Sequence, residues 1–240
     1  MNEEIEFIGK CLLLRSTKTL VIGDLHLGYE NVLNSSGILI SRNMYEEMIS
    51  YLDDVFEKTG RVNEVVLLGD VKHDFGSIMK QEWEDVKKLF EYLRRKIVEK
   101  GKIIVVKGNH DKLIQPIIKN EEKVILKECY KKGEYVFVHG DKDQKELSKL
   151  DNNIWIMGHF HPAIKISEGV KSEKYKCFLD GKYEGKRVIV LPSFFELIEG
   201  SDPRDSLVYS KWKFKFENFD VIVVGDNLRT FNFGKLKTIG

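Results

Sequence analysis

Short apolar runs, each closed by a polar knot, set the rhythm of this chain. Thr19 to Ile22, Val65 to Leu68, Ile103 to Val106, Val136 to Val138 and Ile154 to Met157 are unbroken apolar or β-branched stretches. A run of that length bounded by Gly or polar residues reads as a buried strand, and the knot after it as the loop at the strand's C-terminal end. Two longer stretches carry helical spacing instead. Ser41 is a good N-cap for a helix over Arg42 to Thr59, with Met44, Met48, Tyr51, Leu52 and Val55 on its apolar stripe and Gly60 past its end. A second helix is expected from Gln81 to Lys100, with Val86, Leu89, Phe90, Leu93 and Ile97 at helical intervals and Gly101 as its stop. Residues 5 to 23 read as a strand and a hairpin turning at Ser16-Thr17-Lys18, and Gly28 to Ile40 as a loop.

Strand, helix, strand, helix, strand over the first half implies βαβ units and a mostly parallel sheet. After Tyr130 the texture changes to strands at Tyr135-Val138, Ile154-Met157, Ala163-Ile166, Tyr175-Leu179, Arg187-Leu191, Phe219-Val224 and Arg229-Phe233. Short Gly, Asp and Asn turns join them, with Asp180-Gly181 and Asp226-Asn227 as tight turns, so this half is expected to be mainly antiparallel. No repeat or Pro/Gly-rich linker divides the halves. The expected architecture is one α/β domain over residues 1–240, with two mixed β-sheets face to face and flanked by helices.

A chain of 240 residues with 42% hydrophobic content can bury a full core. Its 39 basic and 38 acidic side chains leave a net charge of +1, which argues against a protein held on nucleic acid by its overall field. Met1-Asn2-Glu3-Glu4 is unlike a signal peptide, and no stretch approaches the roughly 20 apolar residues of a membrane helix. Cys11, Cys129 and Cys177 lie outside the polar knots and read as buried thiols. A cytoplasmic protein with no membrane partner is expected.

The chemistry is concentrated in the knots: Gly23-Asp24-Leu25-His26, Gly69-Asp70, Gly108-Asn109-His110-Asp111, His139-Gly140-Asp141 and Gly158-His159-Phe160-His161. Strand ends are where open α/β sheets bind ligands. Asp24 with His26, and His159 with His161, are two apart, so in extended backbone each pair would point the same way. Asp70 is a carboxylate able to bridge two cations, Asn109 offers a neutral carbonyl, and His139 another imidazole. This N/O set without thiolate suits Mn, Fe, Zn, Co or Ni better than Ca or Cu(I), and is too rich in imidazole for Mg. Two divalent ions bring +4 against −2 from Asp24 and Asp70, so the centre attracts an anion. Two such ions about 4 Å apart generate hydroxide at neutral pH and clamp the oxygens of a phosphoryl displacement.

The ordered set Asp-x-His, Gly-Asp, Gly-Asn-His-Asp, a lone His and Gly-His-x-His, running from Asp24 to His161, resembles the calcineurin-like metallophosphoesterase superfamily. That resemblance implies the superfamily's four-layer sandwich and two divalent transition ions, manganese first. It implies one metal on Asp24, His26, Asp70 and His161 and a second on Asp70, Asn109, His139 and His159. His110 would then bind the phosphate and protonate the leaving oxygen, with Asn109 and Asp70 completing the catalytic set. Many phosphatases of the superfamily carry Gly-Asp-x-x-Asp-Arg, but here His73 and Asp74 fall where that Asp and Arg would stand. His73 thereby becomes a candidate substrate contact and the protein-phosphatase reading weakens. The strings Asp24 to Glu30, Gly69 to Gly76 and Leu191 to Leu197 resemble the archaeal and bacterial ICC-like, ligase-associated metallophosphoesterase branch, which implies nucleotide or nucleic-acid phosphate esters as substrates. The expected function is a phosphodiesterase or nuclease using a metal-bridging hydroxide. The alternatives are a phosphomonoesterase and a metal-dependent scaffold without turnover.

Several residues have plainer explanations. Asp74 and Asp111 cap turns or support the site, and Asp141 is a turn residue. Arg94, Arg95, Lys96, Lys100 and Lys102 form a solvated face. Tyr29, Tyr45, Trp83 and Trp155 read as core, and Phe194-Phe195 as strand packing before substrate wall. Within the loop from Gly28 to Ile40, Asn31, Asn34, Ser35 and Ser36 offer neutral hydrogen bonds to a substrate at one lip of a cleft.

Overall fold

In the computed structural model, residues 4–40, 43–74, 80–142, 151–169, 171–205 and 213–239 are described. The N-terminal hairpin starts the first sheet: β1 (Ile5–Ile8), β2 (Cys11–Leu14) and β3 (Thr19–Ile22) pair antiparallel. After helices α1 (Tyr29–Ser35) and α2 (Met44–Thr59), strand β4 (Val62–Leu67) joins β3 in parallel. Helix α3 (Lys80–Lys96) leads into β5 (Ile97–Val106), and the short α4 (Gln115–Ile118) into β6 (Val124–Lys127), both again parallel additions. The expected βαβ half is this sheet.

The second sheet holds β7 (Tyr130–Lys132), β8 (Tyr135–Val138), β9 (Ile154–Met157), β10 (Ala163–Glu168), β11 (Lys171–Tyr183), β12 (Lys186–Val190), β13 (Asp220–Val224) and β14 (Thr230–Lys235). Its order is β14-β13-β11-β12-β9-β8-β7, with β10 on the N-terminal part of β11. Its pairings are mainly antiparallel, as the turn-rich sequence suggested, while β8, β9 and β12 are mutually parallel and make the sheet mixed.

Between the sheets Leu12, Leu14, Val21, Val66 and Ile104 meet Phe137, Ile156, Phe178 and Ile189. Alternate residues of the first sheet, Leu20, Ile22, Val65, Leu67 and Ile103, pack on Leu52 and Val55 of α2 and Leu89, Phe90 and Leu93 of α3. Both faces of these strands are buried, which is why the runs are continuously apolar rather than alternating. The far face of the second sheet, including Trp155 and Val188, is covered by Phe214, Phe216, Phe219 and Leu236. Cys11 and Cys177 are buried and Cys129 is partly so. Among the described residues no helix is long and apolar enough to cross a membrane.

Four local expectations are overturned, two of them by a longer-range contact. The helix expected to reach Lys100 ends at Lys96, because Ile97 pairs with Val62 and the chain turns directly into β5. Gly101 consequently lies inside a strand. Asp180-Gly181 is not a turn but lies within β11. There Asp180 accepts two hydrogen bonds from the Arg187 guanidinium at 2.9 and 2.6 Å, and the Phe219 ring occupies the space a side chain on Gly181 would need. The presumed loop from Gly28 contains α1, whose start has no side-chain cap to announce it. Phe194-Phe195 is buried packing as expected, but it follows β12 as a loop. Ser41, the expected N-cap of α2, lies outside the described residues, as does the Phe75-Gly76 end of the Gly69 to Gly76 string.

Candidate metal centre

Five strands end around one point: β3, β4 and β5 of the first sheet and β8 and β9 of the second. The loops after them carry Asp24, His26, Asp70, Asn109, His110, His139, His159 and His161. His73 is close by, its Nδ1 3.3 Å from Nδ1 of His26. Asp24, Asp70, His26 and His139 form a buried floor, while Asn109, His110, His159, His161 and His73 are half-buried above it.

The potential ligand atoms fall into compact sets able to hold a metal ion. Asp24, His26 and His161 bring one ligand atom each within 4.8 Å of one another, and so do Asp70, His139 and His159. Asp70 Oδ2 lies 3.2 Å from His139 Nε2 and 3.9 Å from His26 Nε2, so one carboxylate stands between the two sets. Asn109 Oδ1 is 3.0 Å from His139 Nε2, on the Asp70 side. A third set, His26, His73 and His110, shares His26 with the first. The donors are carboxylate, amide oxygen and imidazole only, which suits borderline divalent transition ions.

The backbone explains how residues two apart serve different sets. Asp24, His26, Asp70, His159 and His161 all have left-handed conformations, with φ between 45° and 70°. Such geometry costs a non-glycine residue about 1–3 kcal/mol and gathers at functional sites. The extended-strand argument fails for His159 and His161, which part, while Asp24 and His26 do share a set but on coiled rather than extended backbone. These loops coil, and His159 turns toward Asp70 while His161 turns toward Asp24. Close packing holds the coils: a Cβ on Gly158 would lie 2.6 Å from Asp24 Oδ2.

Hydrogen bonds and charge complete the floor. The His159 N–H donates to both Asp24 oxygens at 3.1 and 3.0 Å, and His110 N–H to Asp70 Oδ1 at 2.9 Å. Burial works to raise the Asp24 carboxyl, but His161, His139 and the His159 N–H outweigh it and hold it below the usual range. Burial is likewise outweighed at Asp70, chiefly by His139. Burial, then repulsion from His161, pushes His26 down to about 2, and burial with His139 pushes His159 down to about 4. Both are therefore neutral imidazoles at pH 7, the form a metal requires. His139 Nδ1 donates to the Leu68 carbonyl at 2.7 Å, which turns Nε2 toward Asp70 and Asn109.

Asp111 is fully buried and joins two of the loops. Its Oδ1 accepts from Val71 N–H and its Oδ2 from Gly108 N–H, both at 3.0 Å. Asp111→Ala strands at least two buried donors and should destabilise the fold by about 2–6 kcal/mol, at roughly 1–3 kcal/mol per orphaned group. The denaturant midpoint measures it, and an unshifted midpoint would show that those donors find other partners.

The other candidates fall into distinct places. Asp141 is exposed. Arg94, Arg95, Lys96 and Lys102 pair with Glu121, Glu91, Asp53 and Glu64, away from the strand ends. Tyr45, Trp83 and Trp155 belong to the packed clusters. Tyr29 does not: its ring lies 4.3 Å from that of His73, at the site. The lip assigned to Asn31, Asn34, Ser35 and Ser36 is not formed. Asn34 bonds the backbone of Ile40, Ser35 donates to the Asn31 carbonyl, Ser36 to the Leu33 carbonyl, and Asn31 is buried. Sequence reasoning also passed over Ser193, whose hydroxyl donates to the Asp24 carbonyl at 3.1 Å; a lone Ser in an apolar string gives no local signal of that contact.

The fold is shared with nuclease MPE of Pseudomonas putida, at 16% identity and a TM-score of 0.64 over 93% of this chain and 92% of that one. Vacuolar protein sorting 29 from Cryptosporidium parvum is a more distant likeness, with 17% identity and a TM-score of 0.40 over 90% of this chain and 97% of that one. No curated protein matches the chain in sequence. The model of the calcineurin-like phosphoesterase family aligns with residues 17–229, from the turn before β3 to the last hairpin, and the chain belongs to that family.

Proposed function

We propose that this protein hydrolyses phosphodiesters with two divalent transition ions, manganese preferred. Asp24, His26, Asp70 and His161 would hold one, and Asp70, Asn109, His139 and His159 the other. The observation that carries the reading is the Asp70 carboxylate standing between two His/Asp sets, one on each side. When bound, such a pair of ions supplies a hydroxide nucleophile at neutral pH and neutralises charge on the phosphate.

The protein's own part is orientation and proton delivery. The His110 Nδ1–H donates to the His73 carbonyl, which turns Nε2 toward the centre, 3.8 Å from Asp70 Oδ2. In the imidazolium form Nε2 hands its proton to the leaving oxygen as the P–O bond breaks and its electron pair moves onto that oxygen. The Asn109 amide and the His73 ring complete the wall around the phosphate. Turnover is favoured over the scaffold alternative because Asp24, His26, Asp70, Asn109, His110, His139, His159 and His161 are all present.

Diesters are favoured because no arginine stands where the phosphatases grip a doubly charged monoester. A singly charged diester asks less of Asn109, His110 and His73. The fold shared with a nuclease puts single-stranded nucleic acid among the first substrates to try, beside small nucleotide diesters. Kinetics on paired monoester and diester substrates with Mn are expected to show higher kcat/KM on the diester. Salt dependence should be modest because few phosphates are contacted. A large preference for the monoester or for phosphoserine peptides would restore the phosphatase reading.

A further inference from the structure

Lys176 lies on β11, opposite Ala163 of β10 and therefore beside the chain leaving His161. The next residue's N–H, of Cys177, donates to the Pro162 carbonyl at 3.0 Å. The Lys176 ammonium reaches the other way, into the loop after β12. It donates to the Ser193 carbonyl at 2.9 Å and to the Phe195 carbonyl. That loop in turn holds Asp24: the Ser193 hydroxyl donates to the Asp24 carbonyl at 3.1 Å and the Phe195 N–H to the same oxygen at 3.3 Å. The Phe194 N–H donates to the Gly23 carbonyl at 2.9 Å. Asp24 and His161 both have left-handed backbone, φ 48° and 45°, and each needs its surroundings to keep it there.

We infer that Lys176 is a positioning residue of the centre, a brace that fixes the Asp24 and His161 loops relative to each other. Two carbonyls of the 193–195 loop converge on one ammonium, and that loop returns two donors to the peptide following Asp24. Removing the ammonium leaves the loop without its tie to β11, and the left-handed Asp24 backbone loses a support that the His159 N–H on its carboxylate does not replace. In the second set His139 is held by the Leu68 carbonyl and Asp70 by the His110 N–H, and only His159 touches Asp24, through its N–H. Lys176 therefore acts first on the metal position of Asp24 and His161 and reaches the other only through that His159 N–H. The inference rests on reading Asp24 and His161 as ligands of one ion.

The test is a Mn titration of the full-length protein, followed by the EPR signal of free Mn, for wild type, Lys176→Met, Lys176→Arg and Ser193→Ala. His161→Ala and His159→Ala serve as references for loss of the first and second ion. Lys176→Met keeps the stem and removes the donors. It is expected to weaken the ion lost in His161→Ala by about 10–100-fold, the usual effect of an outer partner on metal affinity, with the other ion weakened much less. Lys176→Arg should recover most of that affinity, and Ser193→Ala should weaken the same ion without adding to Lys176→Met in the double variant. Excess Mn should restore turnover. Wild-type affinity for both ions in Lys176→Met overturns the inference. So does equal weakening of both ions with a lowered Tm, which is what a purely structural lysine would produce. Should Lys176→Met not fold, Ser193→Ala decides: unchanged affinity for the first ion overturns the brace. A wild-type protein that binds no Mn instead removes the metal-centre reading itself, a distinct result.

Discussion

Asp70→Asn is expected to empty both metal positions and to reduce turnover by about 10³-fold or more, the scale set by losing several kcal/mol of charge stabilisation. Its carboxylate lies between the two sets, with Oδ2 at 3.2 Å from His139 Nε2 and 3.9 Å from His26 Nε2, while Oδ1 is held by the His110 N–H. An amide keeps the shape but removes the one negative charge that both ions share. At about 1.4 kcal/mol per tenfold, that loss corresponds to at least the stated rate factor. Protein purified without chelator should carry about two ions per chain by the shared-carboxylate logic, and Asp70→Asn should carry few. His26→Ala should lose mainly one, because His26 belongs with Asp24 and His161 and not with His139 and His159. Elemental analysis of the three proteins decides the matter. Two ions retained in Asp70→Asn would end the shared-ligand reading, and a wild type that stays empty with Mn, Zn, Ni and Fe supplied would end the metal reading.

His110→Ala should leave metal content intact and still cost about 10²–10⁴-fold on substrates whose leaving group needs a proton. The side chain is half-buried at the rim, and its Nδ1–H is engaged by the His73 carbonyl. Nε2 is therefore the nitrogen turned toward Asp70 and the centre. A nitrophenolate departs without protonation, so nitrophenyl esters should suffer far less than alkyl or nucleoside esters. The ratio of the two losses isolates the acid role from simple phosphate binding, which would depress both substrates alike. An equal loss on both, or a loss of metal, counts against the assignment.

Much of this centre was legible in the chain because its chemistry resides in residue type and its placement in local pattern. Asp24, Asp70, Asn109, His139 and His159 each follow an apolar run, and a buried strand ends where the run does. The plainer readings were legible for the same reason. Asp141 is exposed, and the basic residues at the end of α3 are paired with acidic neighbours. Errors arose where a distant partner outweighed local preference. Ile97 has helical spacing with Leu93 yet pairs with Val62, and Asp180-Gly181 has turn chemistry yet sits in β11 across from Ile189 and Val188. Helix α1 has no capping side chain, and its Asn34 and Ser35 side chains bond nearby backbone.

The amino-acid sequence alone was enough for the candidate ligand types, the strand ends that carry them and the parallel run from β3 to β6. Composition and periodicity encode burial directly, and burial decides where strands stop. The tertiary structure decided which histidine meets which carboxylate. His159 and His161 are two apart in sequence but join sets built on Asp70 and on Asp24, because both residues take left-handed backbone that no periodicity announces. It also decided that His73 and Tyr29 stand at the site, and that Lys176 reaches Asp24 through Ser193. Most of these contacts link residues dozens to more than a hundred positions apart. Strand pairing within a sheet brings His73 to His26 and Lys176 to Ser193, and the packing of one sheet on the other brings His161 and Ser193 to Asp24 and His159 to Asp70.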